Sequence, residues 1–173
     1  MIARFALGCA MVLCALPAAA SDRAAIDTLV AQHARAHGIP EALVHRVIRR
    51  ESGYNPRARN RIYWGLMQIR HDTARGMGYS GPASGLLDAN TNLTYAVPYL
   101  ANAYRVAGGN LDRAVALYAG GYYYVAKRKG MLGQLRTAAS RPVHADPVST
   151  GSITTGASPA AVKAASAMPV PER

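Results

Sequence analysis

The chain has 173 residues, of which 50% are hydrophobic, and carries a formal net charge of +11. That length holds one ordinary domain with extensions. Its two cysteines, Cys9 and Cys14, both fall in a segment that reads as an export signal, which excludes a disulfide, a cysteine nucleophile and a thiolate metal site from the exported chain. The basic balance favours an anionic partner. Export sets nucleic acid aside and leaves cell-wall carboxylates or phospholipid headgroups.

The expected export signal covers residues 1–20. Arg4 supplies a positive start, Phe5 to Leu16 an apolar run, and Ala18-Ala19-Ala20 small residues for cleavage. The run is too short to span a bilayer, which takes ~20 apolar residues, so no integral membrane segment is expected after cleavage. Residues 21–139 are expected to form the domain. Ser21 or Asp22 can cap a first helix with Ile26, Leu29, Val30 and Ala34 at helical spacing. Gly38 suits its stop, and Pro40 suits the first turn of a second helix that runs to about Ser52. Leu43, Val44, Val47 and Ile48 form the apolar stripe of that second helix.

Residues 55 to 64 read as an irregular basic loop with Arg57, Arg59 and Arg61, and Leu66 to Ile69 as a short helical stretch. Asp72 can cap a short helix ending near Gly76 or Gly78, and Gly81 to Gly85 is a loop. Leu93, Ala96, Val97, Leu100 and Tyr104 mark a longer helix in which Pro98 predicts a kink or a late start. Asn110 can cap the next helix, which Gly120-Gly121 breaks, and a last helix is expected from Tyr122 toward Arg136. No segment alternates as a strand does, so the fold class is all-α, a single compact helical domain. Residues 140–173 turn to Ala, Ser, Thr, Pro and Gly, the composition of a disordered tail.

Glu51 lies three residues after Ile48 and four after Val47, on the face of the apolar stripe. A carboxylate on a buried face is costly unless paired or functional. Desolvation favours its neutral form, and a neutral carboxylic acid is what protonation of a glycosidic oxygen requires. Most glycosidases flank the bond with two carboxylates. This chain has nine acidic residues in all, and Asp22, Asp72, Asp88 and Asp112 sit where caps or solvent explain them. One Glu is sufficient if the attacking hydroxyl belongs to the sugar itself. His33 and His37 stand four apart without a third ligand, so no metal site and no cofactor is expected.

Glu51-Ser52-Gly53-Tyr54-Asn55-Pro56-Arg57-Ala58, followed by Gly65-Leu66-Met67-Gln68-Ile69, resembles the lytic transglycosylase family with the lysozyme-like fold. The family pattern is roughly E-S-x-F-x-P-x-A and then G-L-M-Q. The likeness continues through Asp72-Thr73-Ala74, Asn92-Leu93 and Tyr99-Leu100 to Ala116-Leu117-Tyr118-Ala119-Gly120-Gly121.

The resemblance implies a helical lysozyme-like lobe acting on peptidoglycan strands. Cleavage of the β-1,4 bond between N-acetylmuramic acid and N-acetylglucosamine would leave a 1,6-anhydro end. It makes Glu51 the single catalytic acid and base and places Gln68 in the substrate groove. It also sets Met67 against sugar, and it brings the Tyr118 hydroxyl near the glutamate. Asn60 stands where the family has a Ser that bonds the muramic acetamido group, and an amide side chain can both donate and accept there. Ala119 replaces the Asn of A-Y-N-A-G, and the loop from Pro56 to Gly65 is one residue short. Asn60 and Ala119 leave open a wall-binding or assembly module without turnover, and a hydrolytic muramidase on the same fold, which would leave a reducing end, is the alternative within the same class. Tyr122-Tyr123-Tyr124 offers aromatic faces of the kind that stack on sugars, and at least one of the three must turn inward. Small size and export fit a periplasmic or secreted enzyme that opens the wall locally, with an envelope or secretion machine as partner.

Overall fold

The computed structural model describes residues 18–140. The tail and nearly all of the expected export signal lie outside them. Six α-helices follow in order: α1 (Ala18–His37), α2 (Glu41–Glu51), α3 (His71–Gly76), α4 (Ala89–Val106), α5 (Leu111–Gly120) and α6 (Tyr123–Arg128). The mostly helical class stands, with one addition. Between α2 and α3 lies a three-stranded antiparallel sheet of β1 (Arg59–Asn60), β2 (Tyr63–Trp64) and β3 (Ile69–Arg70). It occupies the segment read from sequence as an irregular loop and a short helix.

Helix α4 is the axis of the domain, with α1 and α5 packed against it. Ile26, Val30 and Ala34 of α1 and Leu43, Val44, Val47 and Ile48 of α2 are buried, as their spacing predicts. Helix α1 begins at Ala18, so Ser21 and Asp22 lie inside it rather than at its cap. It closes on Gly38, whose φ of 64° is cheap only for glycine. There Ile39 N–H donates to the Ala34 carbonyl and Gly38 N–H to that of Arg35, the paired bonds that satisfy orphan carbonyls at a helix end.

Asp88 caps α4 by accepting from Thr91 N–H at 2.7 Å, and Asn110 caps α5 by accepting from Arg113 N–H at 2.8 Å. The Asn110 cap is the one expected from sequence. Pro98 does not delay α4, which starts at Ala89 and runs on to Val106 with Pro98 buried inside it. Asp72 sits in the first turn of α3, not at its cap, and pairs with Arg70 at 3.4 Å. The segment around Gly85 is a 3-10 turn, Ala83–Leu87. Helix α6 stops at Arg128, well short of Arg136, and a second 3-10 turn, Leu132–Gln134, follows.

Residues 135–138 strap back over the domain. The buried Asn102 amide donates to the Arg136 carbonyl and accepts from Arg136 N–H, and Ala138 N–H donates to the Gly76 carbonyl. Among the described residues, no helix is long and apolar enough to cross a membrane.

Candidate active site

Glu51 is the last residue of α2, on the face that buries Val47 and Ile48. Its side chain keeps 14% of its exposure and lies 3.5 Å from the Arg50 guanidinium. The chain reverses immediately afterwards. Ser52 N–H and Oγ both donate to the Ile48 carbonyl. Gly53 and Tyr54 then take φ of 57° and 71°, a conformation that costs a non-glycine residue energy. Tyr54 is fixed there by Arg23 over its ring at 3.5 Å and by His45 Nδ1 at 3.0 Å from its hydroxyl. Glu51 therefore ends a buried helix at the mouth of a tight turn, largely buried with an edge in solvent.

The sheet brings the second motif back to Ala58, at the end of the first. Gly65 N–H donates to the Ala58 carbonyl at 2.8 Å. The Gln68 side-chain nitrogen donates to that same carbonyl at 3.0 Å and to the Gly65 carbonyl at 2.9 Å. Both amide hydrogens of Gln68 are thereby used, which fixes the orientation of the side chain and leaves its oxygen as the end able to accept. Gln68 holds this position at φ 46°, a strained value of the kind that collects at functional sites.

Asn92 of α4 secures the loop from behind. It accepts from Met67 N–H at 3.0 Å and donates to the Trp64 and Leu86 carbonyls, each at 2.8 Å. Gly65 is the residue this closeness demands. A Cβ there would lie 2.2 Å from the Leu86 oxygen and 2.4 Å from the Asn92 nitrogen, and its φ is 69°.

Tyr118 of α5 completes the enclosure. Its hydroxyl donates to the Met67 carbonyl at 2.8 Å. Burial pushes its pKa well above the usual phenol range, and the nearby charge of Glu51 pushes it further the same way. Tyr118 is thus within electrostatic reach of Glu51, hydrogen-bonded to the loop that bears Gln68. Behind it the Tyr99 ring lies 5.4 Å from the Tyr118 ring and 4.7 Å from the Tyr122 ring.

Of the residues expected at the site, Met67, Gln68 and Tyr118 come together, with the charge of Glu51 acting on Tyr118. The expectation that Met67 packs against sugar needs correction. Its side chain has no exposure and fills the core, so its contribution to the loop is its backbone. Asn60 is exposed on the outer strand β1 and paired with Tyr63 across the sheet. Within the tyrosine run, Tyr122 is the inward residue, while Tyr124 is 65% exposed. Asn92 was not singled out from sequence as a site residue. Its signal was a lone amide on the α4 face that also carries Ala96, Tyr99 and Ala103. Among the described residues, no three His, Cys, Asp or Glu side chains group as metal ligands.

Glu51 thus ends α2 with 14% of its side chain exposed, and the three-stranded sheet follows in the next segment of the chain. The family model of the transglycosylase SLT domain matches residues 28–139. The chain belongs to this family, and with it to the peptidoglycan lytic transglycosylases, lyases of lysozyme-like fold that act on glycan strands outside the cytoplasm. No solved structure was found to match the chain.

Proposed function

We propose that Glu51 is the sole general acid and base of a reaction that leaves a 1,6-anhydromuramic end. The Glu51 carboxyl gives its proton to the glycosidic oxygen as the bond from that oxygen to the muramic C1 breaks. The muramic C6 hydroxyl oxygen then bonds to C1, and its proton passes to the Glu51 carboxylate. The glutamate ends as the acid it began as, and no water, metal or cofactor is consumed.

One observation carries this reading: the other carboxylates of the described domain are committed elsewhere. Asp27 pairs with Arg23, Asp72 with Arg70 and Asp112 with Arg46. Asp88 caps α4, Glu41 opens α2 at the end opposite Glu51, and Asp22 is exposed on α1. A second carboxylate to direct water, as an inverting hydrolase needs, has no candidate among them.

Gln68 is assigned to substrate binding through its fixed amide oxygen, which can accept from a sugar hydroxyl or acetamido N–H. Asn60 is assigned to the acetamido group. Tyr118 positions the loop and the glutamate. The enzyme is assigned to the periplasm or the exterior, reached through the signal at residues 1–20, with an envelope machine as partner. Glu51→Gln tests the assignment. It removes the proton but preserves shape, and soluble fragments released from purified sacculi should fall by at least about a thousandfold. Retention of more than a tenth of the wild-type rate would contradict it.

A further inference from the structure

The small sheet carries a feature that glycan cleavage does not use. A cavity of about 270 Å3 opens on it, lined among others by Arg59, Arg61, Ile62, Trp64, Arg70 and Asp72. Three guanidinium groups meet one carboxylate there, and that carboxylate pairs with Arg70. Arg59 and Arg61 are exposed and have no carboxylate partner among the described residues.

Two details show that these side chains are placed rather than scattered. Arg59 lies over the Trp64 ring at 4.3 Å, across a register that pairs the two residues. Stacking of this kind orients a guanidinium while leaving its edge donors open. Arg61 is the first residue of the two-residue turn between β1 and β2 and has φ of 53°. Hairpins commonly fill such positions with Gly, Asn or Asp. The turn itself gains nothing from an arginine, so the side chain has to be explained by what it faces.

A neutral glycan offers hydroxyls and acetamides, which do not require guanidinium. Planar forks match carboxylates, and the indole of Trp64 and the Ile62 side chain, 47% exposed, suit small aliphatic groups between them. We infer that this cavity binds the carboxylates of peptidoglycan stem peptides, holding the peptide beside the glycan-cleaving site. The inference rests on peptidoglycan as the substrate and extends it to the peptide. The cavity belongs to the hairpin clamped by Gln68 at Ala58 and by Asn92 at Trp64, so a peptide seated here is tied to the strand being cut.

Trp64 is the one tryptophan of the chain, so its fluorescence reports on this cavity without any need for turnover. The experiment titrates the protein with stem peptides released from sacculi, and separately with the same peptides after their carboxylates are converted to amides. Native peptides should shift the Trp64 emission saturably, and amidation should weaken binding by about tenfold or more. The double variant R59Q/R61G should bind both forms equally, at the amidated level. Because Gly suits the turn, R61G alone should melt no lower than wild type, so a folding defect cannot imitate the loss. Equal binding of native and amidated peptides by the wild type would overturn the inference. So would full native affinity in the double variant, or an equal response to inorganic phosphate at the same concentration. Each readout is independent of cleavage, so an inactive enzyme would count against the catalytic assignment and leave this one standing or falling separately.

Discussion

The Tyr118 hydroxyl donates to the Met67 carbonyl at 2.8 Å, joining α5 to the loop that presents Gln68. Both groups are buried, so the bond is made where water cannot replace it. The hydroxyl acts here as a positioning device, since its proton is directed at a backbone oxygen.

Tyr118→Phe deletes that donor and leaves a buried carbonyl unsatisfied, at a cost of about 1–3 kcal/mol. Urea unfolding should show this loss. Turnover of the folded variant should fall while substrate binding changes less, because the loop loses its link to α5.

Gly65→Ala should be among the most damaging small substitutions in the domain. The added methyl would meet the Leu86 oxygen at 2.2 Å and the Asn92 nitrogen at 2.4 Å, at a φ of 69°. Loss of about 3 kcal/mol or more is expected from backbone strain and the disrupted Asn92 bonds together. Circular-dichroism melting would register it.

Tyr99→Phe should act in the opposite direction. The Tyr99 hydroxyl is buried and has no hydrogen-bond partner among the described residues. Removing an unsatisfied polar atom while keeping the ring should be neutral or should stabilise by up to about 1 kcal/mol. Calorimetry on the two proteins compares them directly.

Alkaline pH should unfold the domain through the same tyrosines. Burial raises the pKa of Tyr99, Tyr118 and Tyr122; the neighbouring phenols add to the shift at Tyr99, Glu51 adds to it at Tyr118, and the Asn102 hydrogen bond partly opposes it at Tyr122. A raised folded-state pKa gives stability that is complete below the unfolded value, about 10, and is lost as pH climbs above it. Tyrosinate absorbance for these three should therefore appear together with loss of helical signal. Ionisation of Tyr99, Tyr118 and Tyr122 in a still-folded protein would refute this.

Much of the helical frame was legible in the residues. The stripe of Leu43, Val44, Val47 and Ile48 placed Glu51 at the core boundary because helical spacing fixes which side chains share a face. Asn110 announced its cap, and Gly120-Gly121 the end of α5. The sheet was not legible, because strands of two residues carry no alternation. Leu66 to Ile69 read as helix since a short apolar run has no period of its own. The left-handed Gly65 and Gln68 that break it are set by Asn92 and Ala58, which are remote in sequence. The same remoteness hid the interior position of Met67, which depends on how α4 and α5 close over the loop. The family resemblance proposes Glu51, Gln68 and Tyr118 for the site, where periodicity alone proposed only Glu51.

The most direct measurement is cleavage of purified peptidoglycan in water enriched in oxygen-18, with mass analysis of the new muramic ends. If Glu51 recruits the sugar's own hydroxyl, the ends will be 1,6-anhydro forms without the heavy isotope, and Glu51→Gln will release none. Reducing ends carrying oxygen-18 would show that water is the nucleophile and would contradict the proposed reaction.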